Sequence, residues 1–295
     1  MQFKGTLMLL GASFFWGTTF VAQSTGMADL GPFSYAAARY LIGVVALIFV
    51  LFFTRKSRRK ERLSGKYSHG FGAGLLIGII LFSASSMQQI AIQYSTAGKA
   101  AFITCLYIVF VPIGAKLLGK KIRPENFVGA TLAIIGLYLL AVKENFSIQY
   151  GDLILFASSF FWTAHILTID KFASKVDVVE LSAAQLFTTM ILSFAAMLIF
   201  ENPSPAAFKS AWFSIAYAGI MSSGVAFTLQ IFGQKYAEPA SAAILMSFEA
   251  IFGALSGWLI LDEVMSGREI FGCILMLVGM IVTQFRLLFA GRRGG

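Results

Sequence analysis

Glu249 stands in the middle of residues 241–263, SAAILMSFEAIFGALSGWLILDE, a stretch long enough to cross a bilayer. A charge at bilayer depth costs about 2.5 kcal/mol or more, so it persists only where it faces protein or water. On a helix Ala242, Leu245, Gly253 and Ser256 share its face, and three of those four are small. Such a face can lie against other helices or a cavity. Three roles are open to the carboxyl: gaining and losing a proton, holding a cationic group of a ligand, or locking a neighbouring helix by hydrogen bonding.

Trp16 and Thr19 lie three residues apart, as do Trp162 and His165, so each pair occupies one helix face. An indole beside a polar tip suits a cavity wall, because the ring supplies area and its N–H needs a partner. Depth favours this over an interfacial anchor, since both tryptophans lie well inside their apolar runs. His165 is of the type that titrates near neutrality, although a lone histidine on a helix is more often a packing residue. Arg39 and Lys99 are candidates for charge pairing, with a substrate carboxylate, with Asp29, or by snorkelling to the interface. Gln88, Gln89, Gln93 and Gln230 are interhelical or cavity hydrogen-bonders, and Tyr107 a further wall residue. Pro112 removes a backbone donor and predicts a helix kink. No His or Cys set has ligand spacing, so no metal and no cofactor is expected. Cys105 and Cys273 read as small core hydrophobes.

The elements that must position these residues are long. Ten apolar runs fall at about 4–23, 33–53, 70–92, 97–118, 126–142, 151–170, 180–200, 211–232, 239–261 and 268–288. They lack period-2 alternation and are too long for strands, so they predict helices. The first run, led by Lys4, has the polarity of a signal peptide. The same pattern recurs deep in the chain, so the run reads as a span. A composition of 58% hydrophobic and 13% charged residues marks a polytopic membrane protein with almost nothing left for a soluble domain.

The net charge of +9 is concentrated in connectors, with Arg55, Lys56, Arg58, Arg59, Lys60, Arg62 and Lys66 in one of them. That distribution fits a cytoplasmic loop and argues against nucleic acid as a partner. With the N-terminus inside, the inner connectors and ends also collect Lys4, Lys116, Lys120, Lys121, Arg123, Lys171, Lys175, Lys235, Arg286, Arg292 and Arg293. The outer ones hold only Lys143, Lys209 and Arg268. Both termini are expected to be cytoplasmic.

The chain also repeats itself. GTLMLLGASFFWG at 5–17 and GDLILFASSFFWT at 151–163 are offset by 146, which also lays Arg39 on Gln185. Further on, an offset of 141 places Gln89 on Gln230 and Glu249 on Ile108, and 143 pairs Gly129 with Gly272 and Gly136 with Gly279. Five spans per copy invert the second copy, an arrangement recurrent in secondary transporters, with the substrate site near midplane between the halves. Gly74 with Gly78, and Gly253 with Gly257, are small-xxx-small spacings for close helix packing.

With Trp16 and Trp162, Ala38-Arg39-Tyr40 and Gly43, Pro112, and SFEAIFGALSGWLILDE followed by Gly272 and Gly279, the chain resembles EamA-type members of the drug/metabolite transporter superfamily. The resemblance implies a ten-helix plasma-membrane fold, a central cavity, and transport of amino acids or other small metabolites, often outward. In this pattern Lys121 stands where the second half has Glu263, and Gly253 takes the place of Pro112.

The expectation is an all-α polytopic membrane protein of ten transmembrane helices in two inverted five-helix repeats, 1–145 and 146–290, with a tail at 291–295. The repeat and the resemblance imply a secondary transporter, expected to export amino acids or other small metabolites by alternating access in the bacterial inner membrane. Its expected substrate cavity comprises Trp16, Thr19, Gln88, Tyr107, Trp162, His165, Gln230 and Glu249. The rival is a channel or non-transporting receptor of the same fold. No P-loop, HExxH or GxSxG occurs, so neither an ATP site nor an enzyme is expected.

Overall fold

The computed structural model describes residues 2–27, 30–94, 97–142, 149–260 and 264–289. These are helical almost throughout. The first half holds α1 (Gln2–Gly26), α2 (Pro32–Leu63), α3 (Phe71–Ile92), α4 (Ala97–Thr104), α5 (Tyr107–Leu117) and α6 (Pro124–Ala141). The second holds α7 (Tyr150–Phe172), α8 (Val178–Phe200), a short α9 (Pro205–Ser210), α10 (Trp212–Tyr217), a π-helical segment (Ala218–Ala226), α11 (Phe227–Gln234), α12 (Pro239–Met246), α13 (Glu249–Ile260) and α14 (Gly267–Phe289). Among the described residues nine segments are long and apolar enough to cross a membrane, and α1 is itself 25 residues long. Large apolar side chains such as Phe52, Phe53, Leu198 and Phe200 stand exposed around the bundle, as a lipid-facing surface requires.

Local chemistry sets the boundaries. Pro32, Pro124 and Pro239 each open a helix in the first turn, where the missing N–H is no loss. Asp177 caps α8 by accepting from the N–H groups of Val179 and Glu180, both at 3.1 Å. Gly65 and Gly119, with φ of +72° and +78°, turn the chain after α2 and α5.

The two halves are related by a pseudo-two-fold exchange of contacts. A Cβ at Gly5 of α1 would lie 2.9 Å from the Gly233 carbonyl of α11, and one at Gly151 of α7 would lie 2.9 Å from the Ala91 carbonyl of α3. Gly129 and Gly279 bring α6 and α14 together, each 2.7 Å from the other's carbonyl by the same measure, while Gly136 and Gly272 close the other end of that crossing. Glycine is needed at these positions because the backbones touch. Gly74 and Gly78 do the same for α3 against α8.

These contacts correct the repeat register. Gly78 against the Gln185 carbonyl is mirrored by Gly219 against the Arg39 carbonyl, an offset of 141. Beyond the π segment, Ala91 answers to Gly233 and Tyr94 to Tyr236, an offset of 142. A π turn carries an extra residue, so Ala218–Ala226 is where the second half gains one position. Gln230 therefore matches Gln88, not Gln89, and Glu249 matches Tyr107, not Ile108.

The fourth span of each half is interrupted at the same place. α4 ends at Thr104 and α5 starts at Tyr107; α12 ends at Met246 and α13 starts at Glu249. Tightened i→i−3 bonds repeat across the break: Leu106 N to Ile103 O at 3.2 Å with Phe248 N to Leu245 O at 3.3 Å, and Ile108 N to Cys105 O at 2.9 Å with Ala250 N to Ser247 O at 3.1 Å. Pro112 lies inside α5, and its counterpart in the corrected register is Ala254, not Gly253. Since the second half breaks without a proline there, the interruption belongs to the repeat and is not a proline kink.

At the end of the bundle that carries the basic connectors, the halves are tied by charge. Arg58 reaches Asp177 at 2.8 Å, Arg123 reaches Glu238 at 2.5 Å, Lys120 pairs with Asp170, and Lys235 donates to the Tyr67 hydroxyl at 2.5 Å. Ser68 and Val176 form an isolated parallel bridge between connectors of the two halves.

Candidate functional site

A cavity of about 680 Å³, measured between atom surfaces and including its mouth, lies between the halves. Its wall is built largely from residues that the repeat relates. Trp16 and Trp162 come from α1 and α7, and Gln88 and Gln230 from α3 and α11. Thr104 and Met246 close α4 and α12, while Tyr107 and Glu249 open α5 and α13. The cavity therefore sits on the pseudo-two-fold axis, with the helix breaks in its wall.

Glu249 is partly open to this space. Its only hydrogen bond among the described residues is a weak one from Cys105 Sγ, 3.8 Å from Oε1, and the same sulfur lies 3.8 Å from the Tyr107 hydroxyl. No cationic side chain among the described residues pairs with it.

Arg39 also lines the cavity, which its spacing did not reveal. It is buried at 5% exposure, so it does not snorkel. Its guanidinium lies 4.6 Å from the centre of the Tyr40 ring and donates to that residue's hydroxyl at 3.0 Å. Nε has no partner. Asp29, considered as its partner, lies outside the described residues, as do the Lys99 side chain and Glu263.

Gln23, Ser222, Ile166 and Phe227 complete the wall. Gln23 accepts a hydrogen bond from Gln89 at 2.9 Å, and Phe227 meets Trp16 edge-on at 5.2 Å. Met246 and Thr104 flank the repeat-related breaks, which the structure reveals and no residue type in the sequence marks. Ser222 and Gln23 had no signal in the sequence either.

Thr19 and His165 are not among the lining residues. Thr19 is buried and donates to the Phe15 carbonyl at 2.5 Å. His165 lies behind the wall, with Nε2 3.2 Å from Gln185 Oε1 and its ring edge-on to Trp162 and Phe227 at 5.8 and 6.0 Å. Thr19 and Arg39 correspond through the repeat to His165 and Gln185. One half thus fills this position with a hydrogen-bonded histidine and glutamine, and the other sends a cation to the cavity.

Four lining residues carry buried polar atoms without hydrogen-bond partners among the described residues: Arg39 Nε, Thr104 Oγ1, Trp162 Nε1 and Gln230 Oε1. Unpaired buried polar groups cost about 1–3 kcal/mol each, so this wall is suited to a guest that offers both acceptors and donors. Among the described residues no group of His, Cys, Asp or Glu is placed to hold a metal ion.

The profile of the EamA-like transporter family matches the chain twice, over residues 3–142 and 149–285. The chain belongs to the EamA-like transporter family. An uncharacterized transporter of Archaeoglobus fulgidus is 28% identical over 92% of this chain and 83% of its own length. A protein of Escherichia coli named a probable amino-acid metabolite efflux pump is 22% identical, with 97% of each chain covered. A solved crystal structure superposes with a TM-score of 0.79 at 22% identity, covering 97% of this chain and 98% of the other, which establishes the shared fold. The chain is thus an integral membrane protein of a transporter family, and a transporter role is supported.

Proposed function

We propose that this transporter exports amino acids or other small metabolites by alternating access, with the repeats 1–145 and 146–290 rocking about the central cavity. The observation that carries the reading is that Arg39 and Glu249 line one cavity together with repeat-related tryptophans and glutamines. A guest with a carboxylate and an ammonium would satisfy both charges, and the Trp162 N–H and Thr104 hydroxyl would add hydrogen bonds. Arg39 is suited to a carboxylate because its planar fork donates in parallel. The efflux-pump name of the Escherichia coli relative supports the same class.

In this reading the site residues are Trp16, Gln88, Tyr107, Trp162, Gln230, Glu249 and Arg39, while His165 and Thr19 support the wall from behind. The chain lies in the bacterial inner membrane with both termini cytoplasmic, which puts the charge-tied end of the bundle on the cytoplasmic side. Breaking those ties opens the cavity inward.

Counterflow in proteoliposomes tests the proposal. Amino acid loaded inside accelerates uptake of labelled amino acid through a carrier. Uptake that ignores the loaded substrate identifies a channel, and no flux of any amino acid removes the substrate class.

A further inference from the structure

α2 outruns the bilayer. Its 32 residues extend roughly 48 Å at about 1.5 Å per residue, against a hydrocarbon core of about 30 Å. The excess is the basic segment, and the helix sorts its charges by face. Arg58 and Arg62 turn inward to Asp177 and Glu180 of the second half, at 2.8 and 3.5 Å. Lys66, beyond the helix, donates to Glu61 at 2.6 Å. Arg55, Lys56, Arg59 and Lys60 remain exposed, and their side chains make no hydrogen bond or ion pair among the described residues.

Their position on the helix is informative. Ile48, Phe52, Arg55 and Arg59 follow one another at steps of four, three and four, as do Phe49, Phe53, Lys56 and Lys60, so each set forms one stripe. The apolar members are strongly exposed, Phe52 at 71% and Phe53 at 79%. The surface that faces acyl chains therefore runs without interruption into four free cations at headgroup depth.

We propose that this face of α2 binds anionic phospholipid: Arg55, Lys56, Arg59 and Lys60 hold the headgroup phosphates, and Phe49, Phe52 and Phe53 pack on the acyl chains. Charge complementarity and continuity with the lipid-facing surface favour lipid over an acidic protein segment. Juxtamembrane clusters of this size recognise anionic leaflets. The site is independent of the cavity and of what the cavity carries.

The test is intact-mass spectrometry of the full chain released from neutral detergent, with phosphatidylglycerol and phosphatidylcholine added in equal amounts. The wild type retains phosphatidylglycerol in preference by roughly tenfold or more, and the preference falls as salt rises. Combining Arg55→Gln, Lys56→Gln, Arg59→Gln and Lys60→Gln brings the two lipids to near parity. If that variant fails to fold, the milder pair Arg59→Gln with Lys60→Gln still lowers the preference severalfold.

The control pair Arg58→Gln with Arg62→Gln keeps the preference, because those cations face protein. Equal retention of both lipids by the wild type, or an undiminished preference in the outward-facing variants, overturns the proposal. So does an equal loss in the control pair, which would assign the effect to general positive charge. Displacement of the bound lipid by inorganic phosphate or polyglutamate beyond what sodium chloride of the same ionic strength removes also overturns it, in favour of a free-phosphate or acidic-peptide site.

Discussion

Tyr107 and Glu249 are structural equivalents: each is the first residue after the break in the fourth span of its half, and the Cys105 sulfur lies 3.8 Å from both side-chain oxygens. A phenol and a carboxyl thus hold the same place on the two sides of one cavity. The pseudo-symmetry supplies the backbone interruption twice, while the chemistry at the interruption differs. Function that depends on charge must run through this asymmetry.

Replacing Glu249 by Gln keeps shape and removes charge. Transport of a cationic or zwitterionic substrate should fall by about ten- to a hundredfold, the loss of one charge-assisted hydrogen bond. The elution profile in detergent should stay unchanged. Full transport by Glu249→Gln across the pH range would leave the carboxyl without a transport role.

For Arg39 the expected effect is on affinity. Arg39→Gln should raise KM by roughly tenfold or more for a carboxylate-bearing substrate. Arg39→Lys should recover only part of this, since a point charge does not reproduce the planar fork. Equal KM values for all three proteins would remove Arg39 from the binding site.

Asp177 has two duties, capping α8 and pairing with Arg58, and two substitutions separate them. Asp177→Asn keeps a capping oxygen and loses the ion pair. Asp177→Ala loses both and should lower stability by about 1 kcal/mol beyond the Asn variant. Thermal unfolding in detergent measures the difference, and identical melting of the two variants would contradict the capping role.

Gly129 and Gly279 seal α6 against α14, where a Cβ on either would lie 2.7 Å from the opposite carbonyl. Both atoms belong to rigid backbone, so Gly129→Val should destabilise by about 1–3 kcal/mol or more through overpacking. The same change at Gly72, which has open space around its Cβ position, should cost nothing and gain about a few tenths of a kcal/mol, since valine is a better helix former than glycine. Similar losses at the two sites would contradict the close-packed crossing.

The helices, their number per half and the inverted repeat are readable from the sequence, because spanning length and a tandem copy such as GTLMLLGASFFWG against GDLILFASSFFWT leave direct marks. The register is not fully readable. A single π-helical insertion between Gly219 and Gly233 shifts the second half by one residue, and in a uniformly apolar run such a shift changes no hydrophobic pattern. That one residue led to Ile108 as the partner of Glu249 where the backbone pairs Tyr107.

Cavity-lining residues with a chemical oddity, such as Glu249 and the two tryptophans, stand out in the sequence. Arg39 stands out as well, but its direction does not, because snorkelling and cavity lining need the same spacing. His165 and Thr19 share a face with the tryptophans yet end behind the wall, since a helix face three residues wide covers more than the cavity uses.

The central claim is that a cavity on the pseudo-two-fold axis carries substrate by alternating access. Its most direct measurement is counterflow of labelled amino acid into proteoliposomes holding the purified chain, with the wild type and Glu249→Gln side by side. The account predicts uptake accelerated by internal amino acid in the wild type and lost in the variant. Uptake that is indifferent to internal substrate, or equally accelerated in the variant, would contradict it.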